Sequence, residues 1–177
     1  ASNVTLRVEG ALTVQGGIVA ADTTSGQLSL RANAISSDGA SVFIAQDMVV
    51  DTQGSAQLNT LVDTLTLDSR STVNVLISEE TALVVDRMVV NDGRIEITAG
   101  GNLYLRDVRN VANGDDIILK SGVDIYVDSV EAGTAVGALK TLGTVTVDAK
   151  GTMYEWQAIK TLFASNTTTT AAAANQA

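Results

Sequence analysis

The sequence predicts an all-β chain folded as a parallel β-helix, or β-solenoid. Three observations carry that prediction. Short apolar–polar–apolar segments recur along the chain, separated by breaks of small or polar residues. Proline is absent from all 177 residues, where ordinary usage would supply about nine, and its missing N–H suits it poorly to interior strands. Aromatic residues make up 3% of the chain while 45% is hydrophobic, so Val, Leu, Ile and Ala must fill a thin, regular core.

The recurring unit is clearest when strand pairs are aligned on their first apolar residue. Val4 opens "VTLRVEGAL", Leu65 opens "LTLDSRSTV", Ile95 opens "IEITAGGNL", Ile117 opens "IILKSGVDI" and Val145 opens "VTVDAKGTM". Each has an apolar residue at its first, third and ninth places. "LSLRANAI", from Leu28 to Ile35, is the same unit one residue short. "VFIAQDMVV" and "VLISEETAL", from Val42 and Val75, are looser copies. Alternation with period two is a strand signal, and the breaks "EG", "AGG" and "KSG" place Gly where the chain must bend sharply. The copies lie 22 residues apart (95 to 117), 28 apart (117 to 145) and 30 apart (65 to 95).

Strands and turns repeating at this length predict coils that stack about 4.8 Å apart, each strand pairing with its counterparts above and below. Inward apolar residues then form columns, with Ile97 on Leu119. Excess residues loop out at corners, and "EAGTAVGALKTLG", residues 131–143, is the largest expected excursion. An antiparallel sandwich or barrel also consists of many short strands. Asp38-Gly39, Asp92-Gly93 and Asn113-Gly114 are hairpin-type dipeptides that keep it open as the competing architecture.

The solenoid is expected over residues 1–153. From 154 to 165 the pattern changes. Trp156, Ile159, Leu162 and Phe163 fall at helical spacing, which predicts a short amphipathic helix covering an open solenoid end that would otherwise invite edge pairing. Residues 166–177, "NTTTTAAAANQA", have nothing to bury and read as a low-complexity tail or linker. The opening "ASNVTLRVEG" has no Met, basic segment or apolar run, and reads as a processed or excised start.

Composition narrows the function. A net charge of −9 argues against nucleic acid, whose binding rests on clustered Lys and Arg. No apolar run approaches the ~18 residues of a membrane span. The chain has neither Cys nor His, which removes disulfides, thiol catalysis, the commonest general base and the commonest transition-metal ligand.

Residues 93–153 resemble the repeats of filamentous-haemagglutinin-like large bacterial exoproteins. The likeness lies in an apolar-x-apolar strand, an Ala-Gly-Gly or Ser-Gly turn, then Asn or Asp with another strand. Here these are Ala99-Gly100-Gly101-Asn102 and Ser121-Gly122-Val123-Asp124. Residues 1–90 match only loosely, and the amino-terminal secretion domain of the two-partner export route is not evident. The resemblance implies a right-handed β-helical shaft, extracellular or on the bacterial cell surface, serving adhesion or biofilm. It brings no catalytic residues.

Several groups of residues are candidate sites. Asn113–Asp116, "NGDD", is the densest set of oxygen ligands and suits calcium, against the plainer reading of a polar turn. Glu79-Glu80 and Asp115-Asp116 supply adjacent carboxylates. Glycoside hydrolysis needs two carboxyls facing one groove, whereas neighbours in a strand point to opposite faces. Thr144 and Thr146 suggest an outward polar ladder without the regular Thr-x-Thr of an ice-binding array. Asn3 and Asn166 fit the N-glycan acceptor pattern. No catalytic, cofactor-binding or metal residue is assigned, and no cofactor is expected. The expected function is structural and non-enzymatic. The expected partners are neighbouring coils or copies end to end, with surface carbohydrate or a host receptor as contacts. A carbohydrate-active β-helix and a self-assembling filament subunit are the rivals.

Overall fold

A computed structural model of the chain describes residues 2–111, 115–133, 143–155 and 166–169. They form a parallel β-solenoid of about six turns. Every strand pairing among them is parallel, which rules out the antiparallel sandwich or barrel. Asp38-Gly39 and Asp92-Gly93 sit at corners between faces of the coil rather than in hairpins; Asn113-Gly114 lies outside the described residues.

The register resolves three faces. The first coil is β1 (Val4–Arg7), β2 (Ala11–Val14) and β3 (Ile18–Ala20), one strand per face. The chain continues through β4 (Gln27–Ala32), β5 (Ala34–Ser37), β6 (Val42–Thr52) and β7 (Ala56–Thr72), the last two long enough to bend from one face into the next. Then come β8 (Val75–Glu79), β9 (Leu83–Asp92), β10 (Ile95–Ala99), β11 (Leu103–Leu105), β12 (Val108–Asn110), β13 (Ile117–Ser121), β14 (Ile125–Val127), β15 (Val130–Ala132), β16 (Thr144–Ala149) and β17 (Met153–Glu155). Last is β18 (Asn166–Thr169), which pairs with β16. Its Thr-rich sequence suits a strand, although it opens the segment expected to be a tail. Residues 156–165, where the covering helix was expected, lie outside the described residues, as does most of 131–143.

The repeat alignment needs one correction. Copies opening at Ile95, Ile117 and Val145 do share one column on the second face, in register, and Val75 heads the coil before them. Leu65 does not belong there. It pairs with Met48 and Val85, and Val4 pairs with Leu28, so these copies turn a different corner. The skeleton marks any strand–corner–strand passage, and because each coil has several corners it recurs more often than once per coil. The looser copy at Val75 is the true equivalent of Ile95.

Inward residues stack as columns. Ile97 lies between Ile77 and Leu119, and all three are buried. Beside them run Val75, Ile95, Ile117 and Val145, also buried. Two glycine positions are set by the stacking itself. A Cβ at Gly122 would overlap the carbonyl oxygen of Gly100 in the coil before, and one at Gly100 would overlap that of Glu80. Gly93 has φ 113° and lies against the Val73 carbonyl, a conformation that disfavours any side chain.

Corners interrupt the ladder and leave backbone N–H groups without strand partners, which must be satisfied some other way. Asn and Asp from the preceding coil supply acceptors. Gln27 N donates to Asn3 Oδ1 (2.9 Å), Arg94 N to Asn74 Oδ1 (3.1 Å), Asp124 N to Asn102 Oδ1 (3.2 Å) and Thr152 N to Asp124 Oδ1 (2.7 Å). The first coil is less covered than the rest. Val4, Leu6, Leu12, Val14 and Val19 are only half-buried, while their register neighbours Leu28, Leu30, Ile35 and Phe43 are fully buried.

Candidate functional site

The outward side of the third face carries a tyrosine ladder. In β11, β14 and β17 the first and third residues point into the core, except at the half-covered end of β17, and the middle residue points out. That middle residue is Tyr104, Tyr126 or Tyr154, and the three are in register. Their rings stack nearly parallel. Tyr104 and Tyr126 have centroids 4.6 Å apart and planes 12° apart; for Tyr126 and Tyr154 the values are 4.9 Å and 15°. These spacings are the strand spacing itself, so the stack follows from the register. All three tyrosines of the chain lie in this column.

A polar row runs beside the ladder at the corner leading into the third face: Asn102, Asp124 and Thr152, linked from coil to coil through the backbone bonds above. Asn102 Nδ2 donates to the Tyr104 hydroxyl (3.2 Å). Partial burial, with the Asp124 carboxylate nearby, pushes the Tyr126 phenol above its ordinary value. Along the other flank Arg106 Nη1 pairs with Asp86 (2.6 Å). With ring faces occupied by one another, the strip offers ring edges, hydroxyls and carboxylates to the outside. It is a polar-rimmed contact surface spanning three successive coils.

The residues singled out from sequence take other roles. Glu79 is buried and Glu80 exposed, so they do not face one groove. Glu79 is a corner brace: its carboxylate accepts from Val62 N (3.0 Å), Thr81 N (2.9 Å) and the Thr81 hydroxyl (2.8 Å). Asp115 and Asp116 are also separated in role. Asp116 Oδ1 accepts from Thr144 N (2.9 Å) and Asp115 Oδ2 from Gly93 N (2.7 Å). A hydrogen bond shared with Asp92, together with partial burial, pushes the Asp115 carboxyl above its ordinary range. Asn113 and Gly114 of the calcium candidate lie outside the described residues. Among those described, no three acidic side chains are grouped to hold a metal ion.

Thr146 sits between Ile118 and Thr168 in register, and the column before Ile118 reads Leu76 then Glu96, so no regular threonine array forms among the described residues. Asn3 is occupied as a corner acceptor. Sequence reasoning missed the tyrosine ladder, although its signal was present. Each tyrosine lies nine residues after the Ile95, Ile117 or Val145 that opens its copy. Comparison with known protein families, curated proteins and solved structures gives no match.

Proposed function

We propose that the chain is a non-enzymatic structural module of a secreted or cell-surface bacterial protein, acting in adhesion, biofilm or surface assembly. One observation supports this reading above others. The same register that stacks the core also lines up like side chains on the outside, so that a stiff rod displays a continuous tyrosine strip. Tyrosine gives large, amphipathic contact area at low entropic cost. The likeness of residues 93–153 to filamentous-haemagglutinin-like repeats points the same way.

The test is retention under flow of beads carrying the chain, on surfaces coated with bacterial polysaccharide or host-cell glycoprotein. The wild type should be retained and a Tyr104→Ser/Tyr126→Ser double variant should be released, with far-UV circular dichroism unchanged. Retention no better than that of albumin-coated beads would sink the adhesive reading. Release of new reducing ends from the polysaccharide would replace it with the enzymatic one.

A further inference from the structure

We propose that a groove on the first face, at the amino-terminal end of the solenoid and away from the tyrosine strip, binds a sugar acid through its carboxylate. The groove encloses about 210 Å³ and is lined by Arg7, Arg31 and Arg70 together with Asn33, Asp51 and Gln53. Register forces the arrangement. Arg7 pairs with Arg31, and Arg31 pairs with Asp51 on the next coil. Two arginines therefore occupy neighbouring places on adjacent coils, a like-charge pair that destabilises a sheet.

Only part of that charge is answered within the chain. Asp51 takes Arg31 Nε at 3.5 Å and Arg70 Nη2 at 3.1 Å. Arg7 is exposed and has no carboxylate partner among the described residues. Glu9 also lines the groove, so three guanidiniums face two carboxylates and one positive charge remains. This stands out in a chain of net charge −9.

The ligand class follows from the lining. One residual positive charge suits a monoanion better than a phosphate dianion. Guanidinium groups match a planar carboxylate in two-point hydrogen bonding. Asn33, Gln53 and the carboxylates of Asp51 and Glu9 offer donors and acceptors for hydroxyls, while Val8 and Ala32 are the only aliphatic side chains lining the groove. A polyhydroxylated carboxylic acid uses all of these groups; an apolar peptide uses few. The groove crosses successive coils, so it extends along the axis in the direction an acidic polysaccharide would lie.

The experiment is calorimetric titration of the whole chain with glucuronate, a uronate oligosaccharide, glucose, inorganic phosphate and an oligoglutamate peptide. Saturable binding of glucuronate, tighter for the oligosaccharide and absent for glucose, is the expected result. Arg7→Gln and Arg31→Gln should each weaken it about tenfold, the size of one lost charge-assisted interaction. Arg106→Gln, at the tyrosine strip, should leave it unchanged. Three results on the wild type alone would overturn the proposal: no saturable binding of either uronate, tighter binding of phosphate, or tighter binding of the peptide, which would make the groove a protein contact. The Tyr104→Ser/Tyr126→Ser variant should bind glucuronate as tightly as the wild type does, so calorimetry on that variant separates failure of the groove from failure of the tyrosine strip.

Discussion

Replacing Ile97 by Ala tests whether the inward columns hold the solenoid together. Ile97 is fully buried between Ile77 and Leu119, themselves 2% and 0% exposed. The substitution removes three carbon atoms, at about 0.8 kcal/mol each in transfer free energy. Strands above and below are fixed by ladder hydrogen bonds, so the space cannot close by moving one side chain. An unrelaxed cavity of about 60 Å³ adds roughly 1.4 kcal/mol. The expected loss is therefore about 4 kcal/mol, read from urea unfolding followed by circular dichroism near 218 nm. Ile18→Ala is the matched control. Ile18 is 68% exposed, and its truncation should change stability by no more than about 0.5 kcal/mol. A loss below about 1 kcal/mol for Ile97→Ala, or equal losses for the two variants, would refute the stacked-column account.

Gly122→Ala should cost about 1–3 kcal/mol because the new methyl group meets the Gly100 carbonyl; Gly39→Ala, with open space around it, serves as the comparison in the same unfolding assay. Glu79→Ala strips the acceptor from Val62 N and Thr81 N and should destabilise by about 1–3 kcal/mol, chiefly through the buried Val62 N left unsatisfied; Glu79→Gln, which keeps one carbonyl acceptor, should fall between it and the wild type. In an alkaline absorbance titration Tyr126 should ionise above the ordinary tyrosine value of 10.0, because burial and Asp124 both disfavour the phenolate. Its folded pKa is raised, so its stabilising contribution is present below that value and lost as pH rises through the folded one. Disappearance of the high-pH phase in Tyr126→Phe identifies the group, and persistence of the phase would show that the assignment is wrong. Asp38 is held below its ordinary range first by the Ser41 hydroxyl and then by Gly16 N. Its contribution is present above the unfolded value and fades on acidification, so Asp38→Asn should flatten the fall in melting temperature between about pH 5 and pH 2.

The fold was legible because its cause is periodic. Alternation in "IEITA" and "IILKS" sets which side chains enter the core, and the 22- and 28-residue spacings place Ile95, Ile117 and Val145 one above another. The same signal misled at Leu65, where apolar-x-apolar followed by a polar break also describes the corner between the first and second faces. Period two reports strand and side, not which face of the coil a strand occupies. Glu79 shows a different limit. An acidic residue in a strand reads as solvated, and nothing local announces that its carboxylate caps a backbone N–H seventeen residues earlier in the chain. Asp115 met the same difficulty, since its partner Asp92 comes from another coil. The tyrosines lay between these cases. Their spacing repeats that of the core columns, but a search for catalytic types treats three tyrosines among 177 residues as background.

The ladder geometry explains how a sequence this plain can build distinct surfaces. In a solenoid the register that satisfies backbone hydrogen bonds also brings each outward residue within one strand spacing of its equivalents. A residue repeated at the coil length becomes a column whatever its chemistry: tyrosine on the third face, guanidinium and carboxylate on the first. The length between equivalents is free to vary, since 22 residues separate Tyr104 from Tyr126 and 28 separate Tyr126 from Tyr154, yet the two ring spacings differ by only 0.3 Å. The strands on either side keep their register. Loop length and surface chemistry can therefore change independently of the core, and both candidate surfaces described above are products of register rather than of a folded cleft.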